Sequence, residues 1–387
     1  MMMHDKGLFV SNCDEYVIDL SCLSPQKQAE IYAARMKIEE SESESESEPS
    51  GKRTMLPEVA MERFSALERK ARIGVRLDDE EAKWFQYASV LNGIELSEHK
   101  TRKINDKKLF RDIKERCRRD HLSETLASVI VPLIITHAQG KALKPIIFHG
   151  PAGCGKTFFA SLFAEYLELP IVKISAPRAE YAHGYQGESR TFKSPDSGEI
   201  MHGIVETGKA DNLFFIDEID KAAENPDTRV RQQDELLTII SDMVVRENFM
   251  EFSFDISNSV FVFAINDLSV LSKPFIDRCM VIEFKETEQE KMNEILRDYV
   301  VSELIPFYAK KVRLDEETIY NASRKLYSMG ITSIRQHEKL VDEGFRQAYT
   351  RYLNSTTSRT VMVSASDFDM ALKVVHTGNE HQRHIGF

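Results

Sequence analysis

Two hydrophobic rhythms divide the chain. Between residues 145 and 286, apolar runs of four to six residues recur at 145–149, 171–174, 213–216, 260–265 and 280–284. That is the length and bounding expected of buried strands. Stretches with helical spacing lie between them, beginning with 158–167. Strands alternating with helices predict an α/β fold, a parallel sheet with helices on both faces. One stretch breaks the pattern: Phe249-Met250-Glu251-Phe252-Ser253-Phe254-Asp255 alternates with period two and predicts one strand of an inserted hairpin.

Beyond Glu286 the strand signal nearly stops. Helical periodicities at 288–301, 316–327, 333–352 and 366–375 predict a small helical domain. A brief extended run at 360–363 precedes the last helix, which Ser364 or Ser366 can cap. Upstream, 55–105 reads as helical, with Trp84, Phe85 and Tyr87 as packing residues, and further back lie a short strand at 16–20 and a helix at 25–39. Residues 39–48, an alternation of Glu and Ser, can bury no apolar surface and repel one another. With Pro49-Ser50-Gly51 they read as a disordered linker.

Composition narrows the function classes. A net charge of −11 argues against indiscriminate coating of nucleic acid. Residues 100–119 nonetheless hold ten Lys and Arg against three acids, either a face for a polyanion or a solvated helix with paired charges. The five cysteines are scattered and lack C-x-x-C spacing, so neither a disulfide framework nor a zinc site is expected. No apolar run approaches a membrane span of about 18 residues, and no secretory leader is apparent. The expected location is the cytoplasm.

The chemistry concentrates in Gly150-Pro151-Ala152-Gly153-Cys154-Gly155-Lys156-Thr157, which fits G-x-x-x-x-G-K-[ST] between a predicted strand and a predicted helix. Glycines let backbone N–H groups turn toward a phosphate, Lys156 supplies a cation for the β and γ oxygens, and the Thr157 hydroxyl suits Mg²⁺. ATP and Mg²⁺ are the expected cofactors. Cys154 inside this loop offers a thiol-sensitive position, or simply a small residue. About sixty residues on, the apolar run 213–216 ends in Asp217-Glu218. Acids at a strand's carboxyl end sit where such sheets bind ligands: Asp217 for the Mg²⁺ hydration shell, Glu218 for orienting or deprotonating the attacking water.

With these residues in place, residues 120–375 resemble the AAA+ ATPases, and the order of later landmarks resembles the Lon-like group. The resemblance implies that Asn266, closing Phe261-Val262-Phe263-Ala264-Ile265-Asn266, senses the γ-phosphate. Arg278, in Phe275-Ile276-Asp277-Arg278-Cys279, matches an arginine finger reaching a neighbouring subunit. Arg335, in Gly330-Ile331-Thr332-Ser333-Ile334-Arg335-Gln336-His337, matches the second sensor on the lid. It also implies a hexameric ring with an aromatic pore residue, matched by Phe192 in Gly187-Glu188-Ser189-Arg190-Thr191-Phe192, with Tyr185 as the alternative. A polypeptide threaded through the pore is then the substrate.

The implied organisation is an N-terminal segment 1–54 containing the linker 39–51, a helical region 55–119, an AAA+ nucleotide-binding domain 120–286 and a helical lid with tail 287–387. Phe387 follows the lid directly, so a Lon-type protease domain is not expected. The expected function is a ring-forming protein remodeller or unfoldase, with a separate peptidase as a further partner. The alternatives are a nucleic-acid motor or loader and a nucleotide-gated scaffold; a membrane partner is not expected. The terminal Ile385-Gly386-Phe387 matches a peptidase-docking tripeptide but sits in a tail, and His376, His381 and His384 lack the spacing of a metal site.

Overall fold

The computed structural model describes residues 2–4, 8–10, 54–96, 101–181, 184–192, 194–221, 226–308, 311–355 and 360–373. The expected strand at 16–20, the helix at 25–39, the linker at 39–51, the terminal tripeptide and the three C-terminal histidines lie outside these residues.

In chain order, β1 (Met2–His4) pairs antiparallel with β2 (Leu8–Val10), followed by α1 (Glu58–Arg72), α2 (Asp79–Gly93), α3 (Asp106–Arg119) and α4 (Thr125–Ala138). Then come β3 (Ile146–His149), α5 (Lys156–Leu167), β4 (Ile171–Ser175), α6 (Ala176–Tyr181), α7 (Glu199–Thr207), β5 (Leu213–Asp217) and α8 (Pro226–Asp242). β6 (Val244–Glu247), β7 (Phe252–Asp255), β8 (Val260–Ile265), α9 (Lys273–Arg278) and β9 (Met280–Glu283) complete the α/β part. The helical part holds α10 (Gln289–Tyr299), β10 (Val312–Arg313), α11 (Glu316–Ser328), α12 (Ile334–Leu353) and β11 (Val361–Met362), with residues 365–373 again helical. The main sheet has five strands in the order β4-β5-β8-β3-β9. The α/β class and the helical C-terminal region are as the sequence predicts.

The chain forms two compact units: Met1–Lys100 with Val172–Phe214 and Ala223–Ser259, and Thr101–Ile171 with Phe215–Ala222 and Val260–Phe387. In the second, β3 runs parallel to β8 and to β9, with His149 level with Ile265 and with Glu283. This register brings the chain out of β3 and β8 side by side. Ile146, Ile147 and Phe148, like all of β8, are buried, as strands covered on both faces must be. A separate core around Met292, Leu296, Leu326, Leu340 and Phe345 holds the C-terminal helices together.

In the first unit, α1 and α2 pack through the stacked rings of Phe64 and Phe85, 5.3 Å apart. Asp78 and Glu81 form a reciprocal capping box that starts α2. β6 and β7 form the inserted hairpin, Val244 opposite Asp255 and Glu247 opposite Phe252. The strand is shorter than the alternation of 249–255 suggests. Phe249 and Met250 lie in the turn, yet are buried, so their apolar character reflects packing and not pleat.

Candidate nucleotide site

A cavity of about 960 Å³ lies within the second unit. It gathers residues 152–157, Asp217, Glu218, Asn266 and Arg335 from four separate stretches of sequence. Gly150 and Pro151 do not line it; their carbonyls bind the Lys156 side chain. Arg278 and Phe192 do not line it.

Lys156 opens α5 and is 8% exposed. Its ammonium donates to Gly150 O at 2.6 Å, Pro151 O at 2.9 Å and Asn266 Oδ1 at 2.9 Å. An ammonium has three hydrogens, so each has an acceptor. Burial lowers the lysine's pKa, partly countered by the nearby Cys154, Asp217 and Asp220. The glycine loop is shaped by contact as well as by φ. Gly153 adopts φ +76°, and a Cβ there would lie 2.2 Å from Ser333 Oγ. Its carbonyl accepts the N–H of Ile334 at 3.3 Å, tying the loop to the first residue of α12.

Asp217 ends β5, where its carboxylate is pushed up by burial and then by the adjacent Glu218. Glu218 takes φ +61°, a conformation that side chains other than Gly's rarely adopt. That turn lets its N–H donate to Asp217 Oδ1 at 2.9 Å, while Lys221 Nζ donates to Glu218 Oε1. Glu218 therefore stands at the cavity wall with its own counter-ion one turn away.

Asn266 follows β8. Its backbone N–H and its side-chain Nδ2 both donate to Asp220 Oδ2, at 3.2 and 3.0 Å. Arg335, exposed at the second position of α12, is within electrostatic reach of Asp217 and Lys156. His121, also at the cavity, donates from Nε2 to Asp298 Oδ2 at 2.9 Å. Cys154 is partly buried, and burial raises its thiol pKa, which disfavours the reactive thiolate.

Oxygen donors of Thr157 and Asp217 facing one cavity fit a hard divalent cation, and the glycine loop beside Lys156 fits a polyphosphate. Sequence reasoning missed Asp220, Lys221, His121 and Ser333. Asp220 and Lys221 sit in the string Asp217-Glu218-Ile219-Asp220-Lys221, where their spacing of three and four from Asp217 puts them on the turn leaving β5. Ser333 carried the signal of a helix start; it is the residue before α12, though no side-chain capping bond forms.

Arg278 ends α9, exposed, with Nη1 donating to Pro274 O at 3.1 Å. Phe192 is 62% exposed, whereas Tyr185 is fully buried and has no face to offer a passing chain. The basic stretch 100–119 is mostly α3, and acids answer several of its cations: Arg116 pairs with Asp120 and Glu165, and Lys114 and Arg118 both pair with Glu124. No helix among the described residues is long and apolar enough to cross a membrane.

The family model described as "ATPase family associated with various cellular activities (AAA)" matches residues 146–287. The chain is 28% identical to a Lon protease of Clostridioides difficile over 65% of its length, and 26% identical to one of Porphyromonas gingivalis over 67%. It is 27% identical to a mitochondrial Lon protease homolog of Candida albicans over 80% of its length. It spans only 33%, 29% and 27% of these three relatives. The glycine loop, Asp217-Glu218 and Asn266 all fall inside the matched segment, so residues 146–287 are identified as an AAA ATPase domain, similar in sequence to the corresponding part of Lon proteases.

Proposed function

We propose that the chain is a ring-forming ATPase that remodels or unfolds protein substrates, most simply as a hexamer. The observation carrying this reading is the convergence of Lys156, Asp217, Glu218, Asn266 and Arg335 on one cavity, while Arg278 and Phe192 are exposed and are not among its lining residues. In this reading the glycine loop and Lys156 bind the phosphates of ATP. The Thr157 hydroxyl and Asp217 would hold Mg²⁺, which when bound would supply charge neutralisation to the triphosphate. Glu218 orients and deprotonates the attacking water. Asn266 and Arg335 read the γ-phosphate from the sheet and from the lid.

A residue that serves a neighbouring protomer and one that grips a substrate both belong on the surface. Arg278 would meet charge developing at the adjacent protomer's site, and Phe192 would pack against the side chains of a polypeptide in the pore. The division we propose is 1–54, 55–119, an AAA+ domain 120–286 and a lid with tail 287–387. A separate peptidase is compatible with this scheme. The internal pairing of α3 favours a structural role for its charges, so a nucleic-acid motor is the weaker alternative.

Glu218→Gln tests the reading. The variant is expected to bind ATP and assemble while hydrolysing it at least a hundredfold more slowly, and to retain polypeptide on pull-down. Turnover like that of the wild type would remove Glu218 from the mechanism. Stimulation of the native ATPase by single-stranded DNA or RNA and not by unfolded protein would replace the proposed substrate.

A further inference from the structure

Helix α2 carries no recognisable catalytic chemistry, yet four of its side chains reach the segment that bears Phe192 or the hairpin beside it. Within the first unit, Glu80 Oε1 accepts from Arg190 Nη1 at 3.4 Å, and Lys83 Nζ meets Asp196 Oδ2 at 3.0 Å. Tyr87 OH donates to Asp196 Oδ1 at 2.8 Å, and Trp84 Nε1 donates to the carbonyl of Met250 at 3.4 Å. Positions 80, 83, 84 and 87 recur at three- and four-residue intervals and so form one face of the helix.

The partners on the loop flank its tip. Arg190 precedes Phe192 by two residues and Asp196 follows it by four. The N–H of Glu188 donates to Asp196 O at 3.0 Å, closing the loop below them. Its base is pinned from the hairpin side too. Asn248 Nδ2 donates to Gly187 O at 3.0 Å, Gly198 N donates to Glu247 Oε2 at 3.3 Å, and Arg190 pairs with Glu251 as well as Glu80. Gly198 lies so close to Tyr185 that a Cβ there would stand 2.2 Å from its carbonyl oxygen, so the base has no slack.

The side-chain bonds of Arg190 and Asp196 are charge-assisted and partly buried, the two side chains being 24% and 18% exposed. Burial pushes the Asp196 carboxyl up, but the bonds from Tyr87, Lys83 and the Ser197 N–H outweigh it and hold it below the usual range. Asp196 therefore stays ionised opposite Lys83 at neutral pH. By contrast, Phe192 projects 62% exposed from this stem.

We propose that α2 is a brace for the aromatic loop, with Glu80 and Lys83 as positioning residues that hold Arg190 and Asp196 on the two sides of Phe192. The proposal rests on the reading of Phe192 as the residue that grips polypeptide. The helical region before the AAA domain then serves to present the aromatic ring from a fixed stem, so that movement of the nucleotide-driven core is delivered to the substrate and not absorbed by the loop.

The test uses the full chain with Glu80→Ala and Lys83→Ala, singly and together, and Tyr87→Phe, which removes one hydroxyl and serves if the double variant fails to fold. Amide hydrogen exchange over 187–196 is expected to quicken at least tenfold, with exchange over 260–266 unchanged. Basal ATP turnover is expected within twofold of wild type, while the KM for casein, as an unstructured polypeptide stimulating the ATPase, rises at least threefold and Glu80→Asp restores most of it. Unchanged exchange over 187–196 in both Glu80→Ala and Lys83→Ala overturns the brace. Quickened exchange with wild-type casein stimulation in these variants and in Phe192→Ala leaves the brace standing and overturns the gripping role of Phe192.

Discussion

One carboxylate oxygen of Asp220 receives both the backbone N–H and the side-chain amide of Asn266, at 3.2 and 3.0 Å. With the NH₂ group committed on that side, the amide oxygen faces Lys156, which donates to it at 2.9 Å. Asp220 thus decides which way the Asn266 amide points. The other oxygen, Oδ1, is buried and without a hydrogen-bond partner, which marks the group as held in place at some desolvation cost. Asp220→Ala is expected to lower the rate constant for ATP hydrolysis on the order of tenfold, less than deleting a catalytic donor itself, and to change ATP affinity little. Asp220→Asn, which keeps an acceptor oxygen, should recover part of the rate. Equal loss of affinity and rate in single-turnover measurements would refute this orienting role.

Gly153 has room for no side chain. Alanine there would place Cβ 2.2 Å from Ser333 Oγ and would hold a left-handed φ of +76°. The backbone term alone costs about 1–2 kcal/mol. Gly153→Ala is therefore expected to weaken ATP binding about tenfold or more by calorimetry, since 1.4 kcal/mol is roughly a factor of ten. Adding Ser333→Gly should return only part of the loss, because it relieves the clash and not the φ. Wild-type affinity in the single variant would contradict the geometry.

Arg278 is exposed at the end of α9 and absent from the walls of its own protomer's cavity. If it acts on a neighbour, Arg278→Ala should reduce turnover by about 10³-fold, the low end for such arginines elsewhere. Mixing that variant with Lys156→Ala chains, which keep Arg278 but cannot bind nucleotide well, should restore activity. Failure of the mixture to exceed the sum of its parts would argue against action between subunits.

Glu247 is 1% exposed, and burial raises its carboxyl pKa from an ordinary 4.5 to about 8. The folded chain therefore holds a proton that the unfolded chain releases between those values. Stability from this group is fully present below pH 4.5 and falls as pH rises toward 8, by up to about 1.4 kcal/mol per pH unit. Glu247→Gln should flatten that fall. The check is the urea midpoint of both chains at pH 5.5 and 7.5; a constant offset between them would show that Glu247 does not titrate in this window.

The strands of the main sheet were legible because each is a short, mostly apolar run. The run 260–265 coincides with β8, and 171–174 and 213–216 fall one residue short of β4 and β5, whose last residues are polar. The glycine loop and Asp217-Glu218 were legible for a similar reason, since their spacing is local. Partnerships across the sheet were not. That Asp220 orients Asn266 depends on a contact spanning 46 residues, and that Ser333 shapes the glycine loop depends on tertiary packing. Helix α4 runs through Pro132, a residue that reads as a breaker; burial of Ile130, Val131 and Ile134 around it outweighs the missing donor. Tyr185 shows the limit in the other direction, because an aromatic beside a glycine-rich loop has the same sequence signature whether buried or exposed.

The hydrogen bond from Ile334 N–H to Gly153 O makes the root of a 20-residue helix part of the loop that cradles phosphate. At 1.5 Å per residue that helix is a rod of about 30 Å, so a tilt of about 10° at its root sweeps the far end through about 5 Å. Leverage of this kind works in both directions: a sub-ångström adjustment at Gly153 becomes a stroke at Leu353, and a push on Leu353 arrives at the cradle reduced in travel and multiplied in force.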